Sequence, residues 1–177
     1  MNTTIPFNLE KSFELLERTP TVIEQLLSGL SSEWINNNEG GETFSPYDVV
    51  GHLVHGETTD WIARTKKILS VNDKDFAIFD RFAMYEESKG KTLEELLTEF
   101  KVQRKKNLDF IRTLNITEDM LDKKGIHPKF GEVTLRQLLS TWTVHDLGHI
   151  GQIVRVMAKQ YNNNVGPWLE YLRILKA

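Results

Sequence analysis

The stretch Thr134–Tyr161, TLRQLLSTWTVHDLGHIGQIVRVMAKQY, constrains the fold of this chain more than any other. Its spacing predicts one long helix. Thr134 is placed to be the N-cap, and Gln137 three residues later completes a capping box, in which each side chain satisfies an orphan backbone N–H. Leu135, Leu138, Trp142, Ile153, Val156 and Met157 then recur at three- and four-residue steps, as one buried face requires. The stripe runs Leu138, Trp142, His145, His149, Ile153, Val156, so two of the five histidines lie on the face turned toward the core. A four-residue separation stacks two side chains one turn apart. Two imidazoles aimed inward from adjacent turns point to a metal site; the competing reading is that each ring hydrogen-bonds within the core.

The rest of the chain supplies partners for that helix. Asn8 to Leu30 has helical spacing, with Phe13, Leu16, Ile23, Leu26 and Leu27 as core and Thr19-Pro20 as an interruption, giving one kinked helix or two short ones. Ser31–Phe44 reads as loop, through Asn36-Asn37-Asn38 and Gly40-Gly41, with Trp34 anchoring its start. Ser45 as N-cap, Pro46 at the first helical position and Asp48 in the first turn open a second long helix reaching about Leu69. After a polar break at Ser70–Lys74, Phe76–Ser88 reads as loop leading into a short helix. Thr92 and Glu95 form another capping box, and Leu93, Leu97, Phe100, Leu108 and Ile111 carry a helical stripe to Leu114. Lys101, Arg104, Lys105 and Lys106 are expected on its solvated face. Thr117–Leu121 is a single turn, Lys123–Val133 a loop with Gly125, Pro128 and Gly131, and Trp168–Leu175 a short C-terminal helix packed back on the bundle. Four long helical segments without alternating strands predict an all-α antiparallel four-helix bundle. No repeat, low-complexity segment or linker divides it, so residues 1–177 are expected to form one domain.

Composition narrows the chemistry. The chain has no cysteine, which excludes a catalytic thiol, a disulfide and thiolate ligands, and leaves His, Asp and Glu to hold a metal. A net charge of −3 gives no basic field for nucleic acid or an anionic membrane. MNTTIPFNLE lacks the basic start and apolar core of a signal peptide, and no apolar run approaches the roughly 18 residues of a membrane span. A cytoplasmic location is expected.

A third ligand would come from GHLVHGE on the second helix, which offers His52 and His55. Apolar residues on two sides of that helix leave its inward face ambiguous. His52 shares a strip with Val49, Gly56 and Ala63, whose small side chains leave room for an ion; His55 lies nearer Gly51, Thr59 and Ile62, as a polar surface or supporting residue. His127, before a proline, is expected to be exposed. Gly148 and Gly151 flank His149 at a helical cost of about 1 kcal/mol each, either to admit a helix or small ligand or for tight helix packing.

SPYDVVGHLVHGE followed by TLRQLLSTWTVHDLGHIGQI closely resembles the DinB/YfiT-like superfamily, and FDRF, KGKTLEELL and VGPWLEYL resemble one subgroup of it. The resemblance implies a four-helix bundle in up-down-down-up order with a three-histidine metal site at one end. Carried onto this sequence it selects His52, His145 and His149, and leaves His55 outside the pattern. It also implies one divalent ion, for which three imidazoles suit zinc, nickel or iron. Characterised members include thiol S-transferases using bacillithiol or mycothiol and a mycothiol-dependent isomerase; many others have no known activity. The expected function is therefore a metal-dependent enzyme that activates a small-molecule thiol for transfer to an electrophilic substrate, or water in a hydrolase variant. With no cysteine in the chain, the thiol would be a cosubstrate. Asp146, Glu57 and Gln152 are the residues available to orient the imidazoles or carry protons, and no catalytic residue is assigned. The alternative is a non-enzymatic, stress-related metal-binding bundle, for which a closed site with His55 or Glu57 as fourth ligand would speak. A third reading takes HDLGH as a variant of HExxH with Asp146 as general base, although an all-helical bundle lacks that motif's setting. Exposed aromatics such as Trp168 would suit a homodimer interface.

Overall fold

Three capping boxes set the starts of the helices that build this molecule, whose computed structural model describes residues 4–176. Ser45 opens α4 (Pro46–Thr59), Thr92 opens α7 (Leu93–Thr113) and Thr134 opens α9 (Leu135–Lys159). In each, the cap hydroxyl accepts from the backbone N–H three residues on, and that residue's side chain accepts from the cap N–H. At Ser45 the reciprocal partner is Asp48.

The N-terminal segment is two helices, α1 (Leu9–Leu16) and α2 (Thr19–Leu27), with Pro20 in the first turn of the second, where its missing N–H costs nothing. A short α3 (Ser32–Asn36) lies within the segment expected to be loop, and Trp34 on it meets Tyr161 edge-to-face at 4.9 Å. The second long segment breaks at Asp60 (φ −109°, ψ −78°) into α4 and α5 (Trp61–Leu69). Short α6 (Met84–Glu87) and α8 (Glu118–Leu121) follow the loops around them. The α1–α2, α4–α5, α7 and α9 segments form a four-helix bundle.

Two hydrophobic clusters fill it. One joins Phe13, Leu16, Trp61, Ile68, Leu108 and Trp142; the other joins Ile23, Leu27, Val50, Leu97, Phe100 and Ile153. Between them, along α4, α7 and α9, lies a layer of buried polar groups: Glu57, Arg104, Asn107 and Asp146. Arg104 is therefore no surface cation; it is 1% exposed, at the four-residue step between Phe100 and Leu108. Leu26 and Met157, expected in the core, are only half-buried.

Lys123–Val133 is not a simple loop. It holds an antiparallel hairpin, β1 (Lys124–His127) and β2 (Gly131–Thr134), in the register Lys124↔Thr134 to His127↔Gly131. Four-residue strands carry too little alternation to be recognised. The turn closes through Gly131 at φ +71°, a conformation that disfavours any residue with a Cβ. The 74–76 backbone adds to the hairpin: Ile126 N donates to Lys74 O and Phe76 N donates to Ile126 O. Gly125 permits this approach, since a Cβ there would sit 2.5 Å from Phe76 Cε1 and 2.8 Å from Ile68 Cγ1. At the C-terminus the expected helix is two 3-10 turns, Gly166–Glu170 and Arg173–Leu175, with no buried residue and with Trp168 exposed. The second of these turns packs against α9. No helix among the described residues is long and apolar enough to cross a membrane.

Candidate metal centre

His52 projects from α4 and His145 and His149 from successive turns of α9, and their Nε2 atoms converge. His145 Nε2 lies 3.2 Å from that of His52 and 3.0 Å from that of His149. The rings sit among aromatic neighbours: Trp61 meets His145 edge-on at 5.1 Å, and Phe79 meets His52 edge-on at 5.7 Å. Trp61 is itself stacked on the buried Trp142. Burial, reinforced by the charges of His149, His55 and Arg81, pushes the pKa of His52 down to about 3. Burial, with His149, His52 and Arg104, pushes His145 down to about 2, and burial lowers His149 as well. All three rings are therefore neutral at physiological pH and present lone pairs.

This donor set fits a divalent ion. A tetrahedral zinc with nitrogen at about 2.0–2.1 Å has ligand atoms about 3.3 Å apart, close to the spacing here. Gln152 Oε1 lies 2.9 Å from His149 Nδ1, so that nitrogen donates and Nε2 keeps its lone pair facing the cluster. Of the three expected orienting residues, only Gln152 has that position. Nδ1 of His52 and Nδ1 of His145 have no protein partner. Glu57 and Asp146 are drawn instead into the buried layer around Arg104. Arg104 donates from Nη2 to Glu57 Oε1 at 2.8 Å, from Nη1 to Asp146 Oδ2 at 2.6 Å and from Nη1 to Leu16 O at 2.8 Å. Asn107 Nδ2 and Trp142 Nε1 complete the shell of Glu57. Burial works against its charge, yet the two carboxylates hold the Arg104 pKa above its ordinary value. Asp146, one residue past His145, thus points away from the histidine cluster, which removes the HExxH-like reading in which it is a general base.

His55 is buried rather than on the surface, with Nδ1 2.8 Å from Glu87 Oε2 and the ring 5.0 Å from Phe79. Neither it nor Glu57 approaches the cluster as a fourth ligand, and among the described residues the group of potential ligands is His52, His145 and His149. The cluster's flank is a cavity of about 390 Å³ with His52 and His145 in its wall. His127, expected to be exposed, is half-buried in the same wall, at the end of β1 and stacked on Phe130 at 4.5 Å. Gly148 and Gly151 are not sites of tight helix packing within the chain: a Cβ on either meets nothing within 4 Å, and both are exposed.

Comparison with known proteins now places this geometry. Residues 15–153 match the sequence profile of the DinB superfamily. The chain belongs to the DinB superfamily. Its fold is similar to that of YfiT from Bacillus subtilis, described as "a probable metal-dependent hydrolase with an unusual four-helix bundle topology". That likeness has a TM-score of 0.74 at 17% identity and covers 92% of this chain and 93% of YfiT. No curated protein matches the chain. The DinB bundle, in its up-down-down-up order, is thus the frame that brings α4 and α9 side by side, and the small hairpin lies at the cavity. Arg104 is the important residue that sequence reading misplaced. Its signal was present in the Phe100, Arg104, Leu108 steps but outweighed by the surrounding lysines.

Proposed function

We propose that His52, His145 and His149 hold one divalent ion through Nε2, and that the chain is a metal-dependent hydrolase. The observation that carries this reading is the convergence of three neutral imidazoles with no fourth protein donor among the described residues, beside a cavity large enough for a small molecule. Zinc, nickel and iron all suit such a set. When bound, the ion supplies Lewis acidity, polarising a substrate oxygen and letting water act as a nucleophile near neutral pH. The protein's own contributions are separate. Burial keeps the rings unprotonated, Gln152 fixes the tautomer of His149, and Trp61 and Phe79 keep the histidines out of bulk water. A small-molecule thiol would use the same open side, and with no cysteine in the chain it would come from solution. The likeness to YfiT favours water. A closed structural site is disfavoured because His55 and Glu57 are committed to Glu87 and Arg104.

Metal analysis of untagged protein, purified without nickel resin, tests the site. Wild type should carry about one ion per chain, and folded His149→Ala should carry none. Failure of the wild type to take up zinc, nickel or iron would end the enzyme reading. Loaded protein is then assayed with ester and amide substrates, and with thiol plus electrophile, to separate water from thiol as the nucleophile.

A further inference from the structure

The cavity beside the histidines has a wall whose chemistry is more specific than its volume. Trp61, Phe76, Phe79 and Phe130 line it with aromatic rings, as suits an aromatic body. The charges in the wall do not cancel. Asp60 is its only carboxylate, and that group is paired with Arg64, whose Nε lies 2.5 Å from Oδ1. Arg81 is the second guanidinium in the wall, and among the described residues no carboxylate pairs with it. Its guanidinium lies 4.5 Å from the centre of the Phe82 ring, an arrangement that leaves the edge N–H groups available. Two guanidiniums against one carboxylate leave the wall positive.

His127 adds a neutral donor. Its Nδ1 accepts from the backbone N–H of Lys129 at 3.1 Å and of Phe130 at 3.3 Å. The proton of the neutral ring is therefore on Nε2. Stacking on Phe130 fixes the ring plane. The cavity thus combines aromatic faces, an unpaired guanidinium and a tautomer-fixed N–H donor, with no unpaired acidic group.

We infer that this cavity takes a flat, largely aromatic molecule bearing a carboxylate, with the carboxylate held by Arg81 and the ring body between the aromatic side chains. The inference rests on the proposed function only in treating the cavity as the substrate's side of the metal centre. The recognition itself belongs to Arg81 and the rings, and it stands whether or not an ion is bound. Charge-assisted, forked hydrogen bonds to a carboxylate make arginine discriminate sharply against a neutral isostere.

The experiment is calorimetric titration of 2-naphthoate and of 2-naphthamide into wild type, Arg81→Gln, Phe130→Ala and His149→Ala. Arg81 is exposed, so its substitution leaves folding intact. Wild type should bind the naphthoate about tenfold more tightly than the amide. Arg81→Gln should abolish that preference without weakening the amide, and Phe130→Ala should weaken both probes. The preference should persist in His149→Ala. Equal binding of the two probes, no binding of either, or indifference to Phe130→Ala would overturn the inference. A preference that survives Arg81→Gln but disappears in His149→Ala would also overturn it, because the carboxylate would then be reading an ion at the histidines. Conversely, loss of metal uptake with the Arg81-dependent preference intact would refute the proposed function alone.

Discussion

Arg104 is the residue whose environment differs most from what its neighbours in sequence suggest. Flanked by lysines, it is buried and ties Glu57 on α4, Asp146 on α9 and the carbonyl of Leu16 at the end of α1 to α7. A forked guanidinium can satisfy three such groups at once, where an ammonium cannot match the geometry. Arg104→Met should therefore lower stability by about 3–5 kcal/mol, because it leaves two carboxylates buried without their cation. Guanidinium-chloride unfolding measures this, and a loss under about 1 kcal/mol would mean that the layer is not a stabilising clamp. The histidines illustrate the same point from the other side. His145 and His149 were legible because two positions four apart on one stripe is a local pattern, whereas the partner of His55, Glu87, lies beyond the turn of the bundle.

At the scale of elements, caps were readable and short strands were not. Ser45, Thr92 and Thr134 satisfy backbone donors within their own first turn, so the sequence alone contains the interaction. The hairpin depends instead on Lys74–Phe76, which reaches it from some fifty residues earlier in the chain (the Lys74 Nζ to Lys124 O contact spans 50). Glycines make the contrast measurable. Gly125→Ala forces a methyl against Phe76 and Ile68 and should cost about 1–3 kcal/mol by overpacking. Gly148→Ala, in the open on α9, should instead stabilise by up to about 1 kcal/mol through helix propensity. Thermal unfolding of the two variants should show melting-temperature shifts of opposite sign; shifts of the same sign would contradict the packing assigned to the hairpin.

For the molecule as a whole, the buried histidines link stability to pH. In the unfolded chain an imidazole titrates near 6.5, while burial holds His52 at about 3 and His145 at about 2 in the fold. The unfolded chain therefore binds the extra protons, and stability is full above about pH 6.5 and lost as the pH falls below it. Asp60, raised by burial from 3.8 to about 6, and Glu57, also raised by burial, act with the opposite sign, but these two carboxyls stand against three histidines, His149 being lowered by burial as well. Chelator-treated protein should thus melt at progressively lower temperature from pH 7 to pH 5, with a shallower fall in His52→Gln. Added zinc should raise the melting temperature more at pH 7 than at pH 5, since protons compete for the same nitrogens. A flat profile in both states would refute the linkage. The sequence by itself determined the bundle's main helical segments, their caps and the inward pair on α9, because each rests on residues within a few turns of one another, and its motifs pointed to the family. Only the tertiary structure decided that Arg104 is a core clamp, that Asp146 and Glu57 serve it rather than the histidines, and that a hairpin walls the cavity. Those roles depend on which side chain lies across the bundle, and that is fixed by packing between distant segments rather than by spacing along the chain.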